Sequence, residues 1–478
     1  MGKEKLRVRE LILSEVIGME LSEATRGNKT AMQLVGRIDD RTAKIVVVGV
    51  GYVGLPLGVH FAEAGFRIHG YDVNPKTIDK LNKGESHIKD IPSDRIRPIV
   101  DAGKFTATSD EAILDDADVV FICVPTPFTR NKTPDISFIE RASETIARHL
   151  HHGQLIILES TTYPGTTIEI VKPQLDTTQL VEGEDYFLVF SPERVDPGNL
   201  IYTIANTPKV VGGLSEVSTE ICSKLYSLIV GEDKVVPVSS PTVAEMVKLL
   251  ENTFRAVNIA LVFELSFLCH RMGINLWEVI DAAKTKPFGF MPFYPSPGVG
   301  GHCIPVDPYY LYWKGREYDF HTRFIELAAE TNLRMPDWVL QRITRVLNRA
   351  GVAVAGSKIL ALGSTFKPDC DDARNSPALR VIELLLHHDA DVSYHDPYVG
   401  KISLGRRKDD YAPVLEHPVE IESIELTEDA VKSADLVLCL VNHTDYDWDW
   451  ILSNCTRFFD TRGVSLGYPQ YSEKVTLL

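Results

Sequence analysis

Short β-branched apolar runs alternate with amphipathic stretches along most of the chain, the spacing of a parallel α/β sheet covered on both faces. Lys44–Val48 (KIVVV) predicts a buried strand. Residues 55–64 follow as a helix stopped by Gly65, and 66–71 as a second strand finishing at Asp72. Runs at 118–124 (DVVFICV), 154–158 and 187–190 predict further strands. They lead into Pro125-Thr126-Pro127, Glu159-Ser160-Thr161-Thr162 and Ser191-Pro192-Glu193-Arg194. Residues just past the carboxyl ends of parallel strands line the ligand crevice, so Cys123, Thr126, Thr161 and Glu193 are candidates for it. Each alone is as readily a loop or capping residue; their shared position is the signal.

At Ser240-Pro241 the pattern changes to one long helical period, with Ser as N-cap and Pro in the first turn, running to Met272 before Gly273. Its apolar positions include Met246, Leu249, Leu250, Val257, Leu261, Leu265 and Leu268. A helix of this length bridges domains or pairs with a copy of itself. Near Lys358 a second strand–helix series begins: 358–363, a helix from Ser376-Pro377 to 386, and Asp391–His395 ending at Asp396. Residues 433–441 (SADLVLCLV) echo 116–124 (DADVVFICV). Ahead of all this, Val8, Leu11, Ile12, Val16, Ile17 and Leu21 recur at helical spacing, predicting an extension that packs on the body or on another subunit. The fold class is therefore α/β: two Rossmann-like, doubly wound parallel-sheet domains joined by an all-helical central region with one long helix. The predicted boundaries are 1–40 (extension), 41–238, 239–350 and 351–478.

Length and composition narrow the class. A chain of 478 residues has room for roughly three domains. Seven cysteines without C-x-x-C spacing argue against a disulfide framework or a metal site and suit a reducing cytoplasm. No apolar run is expected to span a membrane, and Glu15 interrupts the only early apolar run, so no signal peptide is expected. The net charge of −16 argues against nucleic acid as a partner. An anionic small molecule would need local cations to overcome that field.

Gly49-Val50-Gly51-Tyr52-Val53-Gly54 sits between the first strand and its helix, with Asp72 about 20 residues on, which is the full context of a dinucleotide fingerprint. Gly49 allows the tight turn, Gly51 a close approach of the pyrophosphate, and Gly54 close helix–strand packing. The helix N-terminus offers N–H donors to the phosphates. Asp72 would accept from the ribose hydroxyls, and no Arg follows it directly, which favours NAD over NADP.

The second chemical stretch is 287–311, PFGFMPFYPSPGVGGHCIPVDPYYL. Its density of Pro and Gly predicts a loop. Gly298, Gly300 and Gly301 lead to Cys303, letting the backbone turn and a ligand come close. A lone Cys is more often a small buried hydrophobe. Asp307 before Pro308 reads equally as a helix cap. Lys248 and Asn252, i and i+4 on the long helix with Glu245 beside them, are either a solvated stripe or a polar row facing a substrate. His302 adjoins Cys303, but sequence neighbours in extended backbone point apart. In the second α/β series Lys367 and Arg374 replace the glycine fingerprint and suit phosphates.

Taken together, GVGYVGLP, ICVPTP, ESTTYPGTT, FSPERVDPGN, EMVKLLENTFRAVNIA, GGHCIPVDPYYL and FKPDCDDARNSPAL resemble the UDP-glucose/GDP-mannose dehydrogenase family from about residue 41 to the end. The run at 288–297, with Phe293 and Tyr294, is most similar to the branch acting on UDP-N-acetylhexosamines. The resemblance implies a soluble enzyme that oxidises the sugar C6 alcohol to the acid with two NAD. It implies Cys303 as nucleophile, Lys248 and Asp307 as its polar partners, and Thr161, Glu193 and Asn252 around the catalytic water and substrate. Tyr52, Val53, Thr126 and Thr161 join the NAD site. Glu193, Lys248, Asn252, Phe293, Tyr294, Gly300, Lys367 and Arg374 take the UDP-sugar. A homodimer or larger assembly around the long helix is also implied. Asn375 departs from the Glu that relatives carry after the Arg, and the N-terminal extension is unusual. UDP-glucose oxidation is the alternative within the family. Outside it stand a two-electron hydroxy-acid dehydrogenase, which would not need Cys303 or a second nucleotide domain, and a non-catalytic sugar-nucleotide sensor, which would be expected to have lost Cys303 or Lys248.

Overall fold

The structure is a computed structural model that describes residues 21–88, 91–129, 133–195, 201–301, 303–405 and 414–478. The predicted helix at 8–17 and His302 lie outside these residues. The chain forms two compact units, Met1–Leu250 and Glu251–Leu478.

In the first unit, helix α1 (Lys29–Asp39) precedes strand β1 (Lys44–Val48), helix α2 (Gly54–Glu63) and strands β2 (Arg67–Tyr71), β3 (Phe105–Thr108), β4 (Val119–Ile122), β5 (Leu155–Leu158) and β6 (Phe187–Phe190). Strand β7 (Lys209–Gly213), helix α3 (Glu216–Val230) and strand β8 (Val235–Val238) complete it. The sheet order is β3-β2-β1-β4-β5-β6-β7-β8. Its first six strands are parallel, whereas β7 runs antiparallel to β6, with Val189 opposite Gly213, and β8 follows β7. The expected parallel sheet is thus extended by a reversed pair.

The apolar runs are continuous because each strand feeds two layers. Ile45 and Val47 enter one core with Val119 and Phe121, while Val46 and Val48 enter the other with Val120 and Ile122. Each such fully buried side chain contributes about 1.5–3 kcal/mol. The described part of the extension packs on this unit. Ala31, Leu34, Val35 and Ile38 are buried in the first core, and Glu220 on α3 accepts from Ser22 N (3.0 Å) and Thr25 Oγ1 (2.5 Å).

Helix α4 (Pro241–Met272) matches its predicted limits, with Ser240 Oγ accepting from Val243 N at 3.3 Å and Gly273 at φ +70°. By length and composition alone it could cross a membrane, a test that the interior helix of a globular protein also passes. Its apolar residues divide between two faces: Leu249, Ala256, Ala260 and Phe263 are buried, whereas Leu250, Phe254, Leu261, Leu265 and Leu268 are exposed.

The second unit holds helices α5 (Leu276–Ala283), α6 (Asp307–Gly315), α7 (Met335–Arg349) and α8 (Pro377–His387). Its strands are β9 (Lys358–Leu362), β10 (Asp391–His395), β11 (Lys401–Leu404), β12 (Val419–Glu422), β13 (Leu436–Cys439), β14 (Phe458–Asp460) and β15 (Val475–Leu477). Five form a parallel sheet, β10-β9-β13-β14-β15, and β11-β12 is a separate antiparallel pair. The echo noted in the sequence is structural, because β13 lies beside β9 as β4 lies beside β1.

Candidate functional site

The glycine loop between β1 and α2 has no room for other residues at two positions. Gly49 has φ +89°, and a Cβ there would lie 2.6 Å from the Cys123 carbonyl oxygen. A Cβ on Gly54 would lie 2.0 Å from the Gly49 oxygen. At Gly51 a Cβ would meet nothing within 4 Å, so the loop leaves open space before the N-terminus of α2, where no acidic residue competes for the free N–H groups. Asp72 is fixed beside this loop: Oδ2 accepts from Val50 N (3.1 Å) and Oδ1 from Asn74 N (2.8 Å). A carboxylate accepts about four hydrogen bonds, so capacity remains for ribose hydroxyls. This cradle fits a dinucleotide. Tyr52 is exposed, and Thr126 and Thr161 are half-buried in loops after β4 and β5. The hydroxyls beside Thr161 pin its loop, Ser160 Oγ donating to Val124 O (2.8 Å) and Thr162 Oγ1 meeting Thr166 Oγ1 (2.6 Å). Cys123, a candidate for the cleft, is instead buried behind the glycine loop. Burial, then the nearby Glu159 charge, pushes its thiol well above the ordinary value.

Glu193 closes β6. Its Oε1 accepts from Arg194 N and Val195 N, both at 2.7 Å, and its backbone oxygen accepts from Lys248 Nζ at 2.7 Å. Burial would push this carboxyl up, but Lys209, the two N–H donors and Lys248 outweigh it and hold it below the usual carboxylate range. Lys248 and Asn252 are only 9% and 7% exposed, so their shared stripe is not a solvated one. Glu245 leaves that polar row. It is fully buried and accepts from Gly165 N (2.5 Å), Thr167 N (2.9 Å) and Thr167 Oγ1 (2.7 Å), tying α4 to the turn after β5.

In the second unit Cys303 is exposed, and its carbonyl accepts from Val306 N (3.1 Å) and Asp307 N (2.8 Å), the turn that starts α6. Asp307 does not cap that helix: Val306 holds the N-cap position. The Asp307 carboxylate, 3% exposed, accepts from Asn252 Nδ2 at 2.5 Å. Gly300 serves packing in this structure. A Cβ there would lie 2.8 Å from Asn375 O, Phe366 Cβ and Pro377 Cδ, so the cysteine loop is seated directly on the loop after β9. Asn375 has φ +51°, a left-handed conformation that Asn tolerates better than most residues.

The loop after β9 is tied by side chains rather than glycines. Ser364 N and Oγ donate to Asp396 Oδ2 (2.7 and 2.8 Å), and Asp369 N donates to His443 Nδ1 (3.0 Å). The fully buried His443 also lies 3.3 Å from Asp396 Oδ2 through Nε2. Sequence reading missed His443; its only signal was a place just past β13, the counterpart of the loop after β4. Lys367 is half-buried on this loop, and the exposed Arg374 is forked onto Asp372 (2.8 and 2.7 Å). Phe293 meets Phe254 edge-on at 6.2 Å. Tyr294 stacks on Trp277 at 5.4 Å and donates to Asp281 (2.9 Å), so both are held by α4 and α5.

Family models match this chain over most of its length: the NAD binding domain of the UDP-glucose/GDP-mannose dehydrogenase family at 43–230, its central domain at 242–334 and its UDP binding domain at 360–465. UDP-N-acetyl-D-mannosamine dehydrogenase of Pyrococcus horikoshii is 38% identical over 358 residues, 74% of this chain and 84% of that protein. UDP-N-acetyl-D-glucosamine 6-dehydrogenase of Pseudomonas aeruginosa is 36% identical over 359 residues, 74% and 83% of the two chains. Among solved structures, the Pyrococcus horikoshii UDP-D-ManNAc dehydrogenase superposes with a TM-score of 0.77 at 33% identity, covering 88% of this chain and 95% of that one. The NDP-N-acetyl-D-galactosaminuronic acid dehydrogenase of Methanosarcina mazei Go1 gives 0.75 at 31% identity, covering 94% and 97%. With three consecutive domains matched and a glycine cradle shaped for the cofactor, the chain belongs to the UDP-glucose/GDP-mannose dehydrogenase family and is an NAD-dependent nucleotide-sugar dehydrogenase.

Proposed function

We propose that the substrate is a UDP-N-acetylhexosamine, the gluco, galacto or manno epimer, oxidised at C6 from alcohol to carboxylate for surface-polysaccharide precursors. The observation that carries the chemistry is the exposed Cys303 thiol at the start of a turn whose next anchor, Asp307, is held by Asn252. Gly49, Gly51, Tyr52, Val53, Gly54, Asp72, Thr126 and Thr161 would hold NAD, which accepts one hydride at each of the two oxidation stages. The Cys303 thiolate adds to C6 at the aldehyde level, forming a C–S bond and an alkoxide, the thiohemiacetal. Lys248 supplies the cation that this oxygen needs. Once C6 has lost its second hydride it is a thioester. Water then adds, the C–S bond breaks, and Cys303 leaves as thiolate. Glu193, Thr161 and Asn252 orient that water and the sugar. Overall one alcohol and one water give one carboxylate, two reduced cofactors and three protons. Lys367 and Arg374 suit the diphosphate, with Arg374 exchanging Asp372 for phosphate oxygens. Gly300, Phe293 and Tyr294 would act through the placement of the cysteine loop.

The substrate class rests on the names of the relatives, which act on N-acetylated sugars. The test is turnover across a panel of UDP-sugars with NAD and, separately, NADP. A kcat/KM for one UDP-N-acetylhexosamine at least about tenfold above UDP-glucose is expected, with NADP poorly used because Asp72 repels its 2′-phosphate. Preference for UDP-glucose would reject the assignment.

The same reading places the enzyme in the cytoplasm, in keeping with seven free cysteines. It also makes α4 the contact of a homodimer. Leu250, Phe254, Leu261, Leu265 and Leu268 form an apolar stripe exposed in the single chain, larger than isolated surface residues explain. Light scattering should show at least twice the 53.3 kDa chain mass, falling toward one chain in Leu261→Glu/Leu265→Glu; a monomeric native enzyme would refute this.

A further inference from the structure

The buried charges behind Glu193 form a cluster that the reaction above does not use. Glu159, at the end of β5, is 1% exposed, and Lys209, the first residue of β7, is 4% exposed. Lys209 Nζ lies 2.8 Å from Glu159 Oε2 and 3.6 Å from Glu193 Oε2. Tyr226 on α3 donates its hydroxyl to the other Glu159 oxygen, and Lys209 Nζ stands 5.0 Å from the centre of the Tyr226 ring. Lys209 is thus locked from behind by Glu159 and Tyr226. In front, 3.6 Å is too long for a hydrogen bond but close for a charge interaction in a dry environment. Glu193 consequently has two unlike oxygens. Oε1 is taken by two backbone N–H groups, while Oε2 is buried and makes no hydrogen bond among the described residues. A buried carboxylate oxygen left in this way calls for a partner.

We infer that Lys209 is a positioning residue for the reaction. Through its charge it keeps Glu193 ionised with Oε2 open toward a water or a sugar hydroxyl, and Glu159 is the counter-charge that prevents Lys209 from bonding Glu193 directly. The inference rests on Glu193 acting at the substrate.

The electrostatics agree. Burial alone would push both carboxyls up. It does so for Glu159, which is pushed up to about 7 by burial and by the Glu193 charge against the pull of Lys209. Glu193 stays low because Lys209 leads the opposing effects. The other titratable groups facing the cluster are Cys123, Cys222, Tyr226, Lys248 and, at longer range, His60 on α2. The first three are neutral thiols and a phenol, pushed far up by burial, so they do not titrate with Glu193 near neutral pH. Lys248 adds positive charge at the Glu193 backbone oxygen and remains in every variant below.

The experiment uses the full chain with NAD and the sugar nucleotide that turns over best, following NADH from pH 5 to 9. Removing the cation raises the Glu193 pKa, so less carboxylate is present at a given pH. Lys209→Met should move the acidic limb of the kcat profile up by about one pH unit or more, so that kcat falls about tenfold on that limb and much less at neutral pH, with the KM for NAD unchanged. Lys209→Arg should restore both. Glu193→Gln is the control and should be slow with no such limb. If Lys209→Met is insoluble, Lys209→Met/Glu159→Gln removes both buried charges at similar volume and should show the same shifted limb. A native limb in either folded variant overturns the inference while slow Glu193→Gln leaves the role of Glu193 standing. Native turnover by Glu193→Gln overturns both. Failure of both Lys209 variants to fold assigns Lys209 to the core and also overturns the inference.

Discussion

Cys303→Ala should fold, bind NAD and nucleotide sugar, and form uronate on the order of 10³-fold more slowly or less. Folding should survive because Cys303 is exposed and Ala retains the carbonyl that starts α6. The loss should be chemical. Oxidising an alcohol to an acid removes four electrons in two hydride steps, and the second needs C6 held as an adduct. Native enzyme should therefore release two NADH per sugar with no free aldehyde. Cys303→Ser keeps the size but substitutes a poorer nucleophile whose ester hydrolyses slowly, and it too should fail in steady production. NADH stoichiometry with mass-spectrometric identification of the product decides the matter. One NADH per sugar with released aldehyde from native enzyme, or undiminished acid from Cys303→Ala, would show that the thiol is a bystander.

Lys248→Ala is expected to cost about 10²-fold or more in kcat with the KM for NAD unchanged. In the proposed mechanism an alkoxide forms when the thiolate adds and again when water attacks the thioester, and in a water-poor site a cation is worth far more than in bulk. Lys248 is buried, and it donates to the Glu193 carbonyl at 2.7 Å. Truncation therefore also leaves a buried carbonyl short of a partner, at about 1–3 kcal/mol in stability. Thermal unfolding separates the two effects, since a stability loss lowers the amount of active enzyme but not kcat per folded site. Lys248→Met, closer in volume, should reproduce the kcat loss with a smaller fall in Tm. A folded Lys248→Met with near-native kcat would make the lysine a packing residue.

Strand β1, which leads into the glycine loop, was readable because it is buried on both faces. Lys44–Val48 needs no partner information to be recognised as apolar throughout, and the glycine spacing with Asp72 encodes a turn whose geometry is local. The limits of α4 were readable for the same reason, since Ser240, Pro241 and Gly273 act within one turn of the helix ends. The reversed pair was not. Strand β7 (KVVGG) ends in two glycines and β8 (VVPV) contains a proline, residues that weaken any strand pattern. Gly212 and Gly213 are there because a Cβ would come within 2.3 Å of Ser240 O and 2.4 Å of Thr219 N, contacts made only after folding.

The candidate site divides the same way. Residue types and spacing marked Cys303, Lys248, Asn252, Asp307 and Glu193 as candidates and fixed where along the chain they stand, while their expected roles came from the resemblance to the family. Tertiary structure decided which partner each one takes. Asp307 accepts from Asn252 rather than capping α6, Glu245 ties α4 to the turn after β5 instead of joining the polar row, and the glycines before Cys303 fit against the loop after β9. It also exposed Lys209 and His443, which carry no motif. A hydrogen bond or ion pair between residues 50 to 80 apart depends on how strands and helices stack, and one-dimensional spacing holds no record of that.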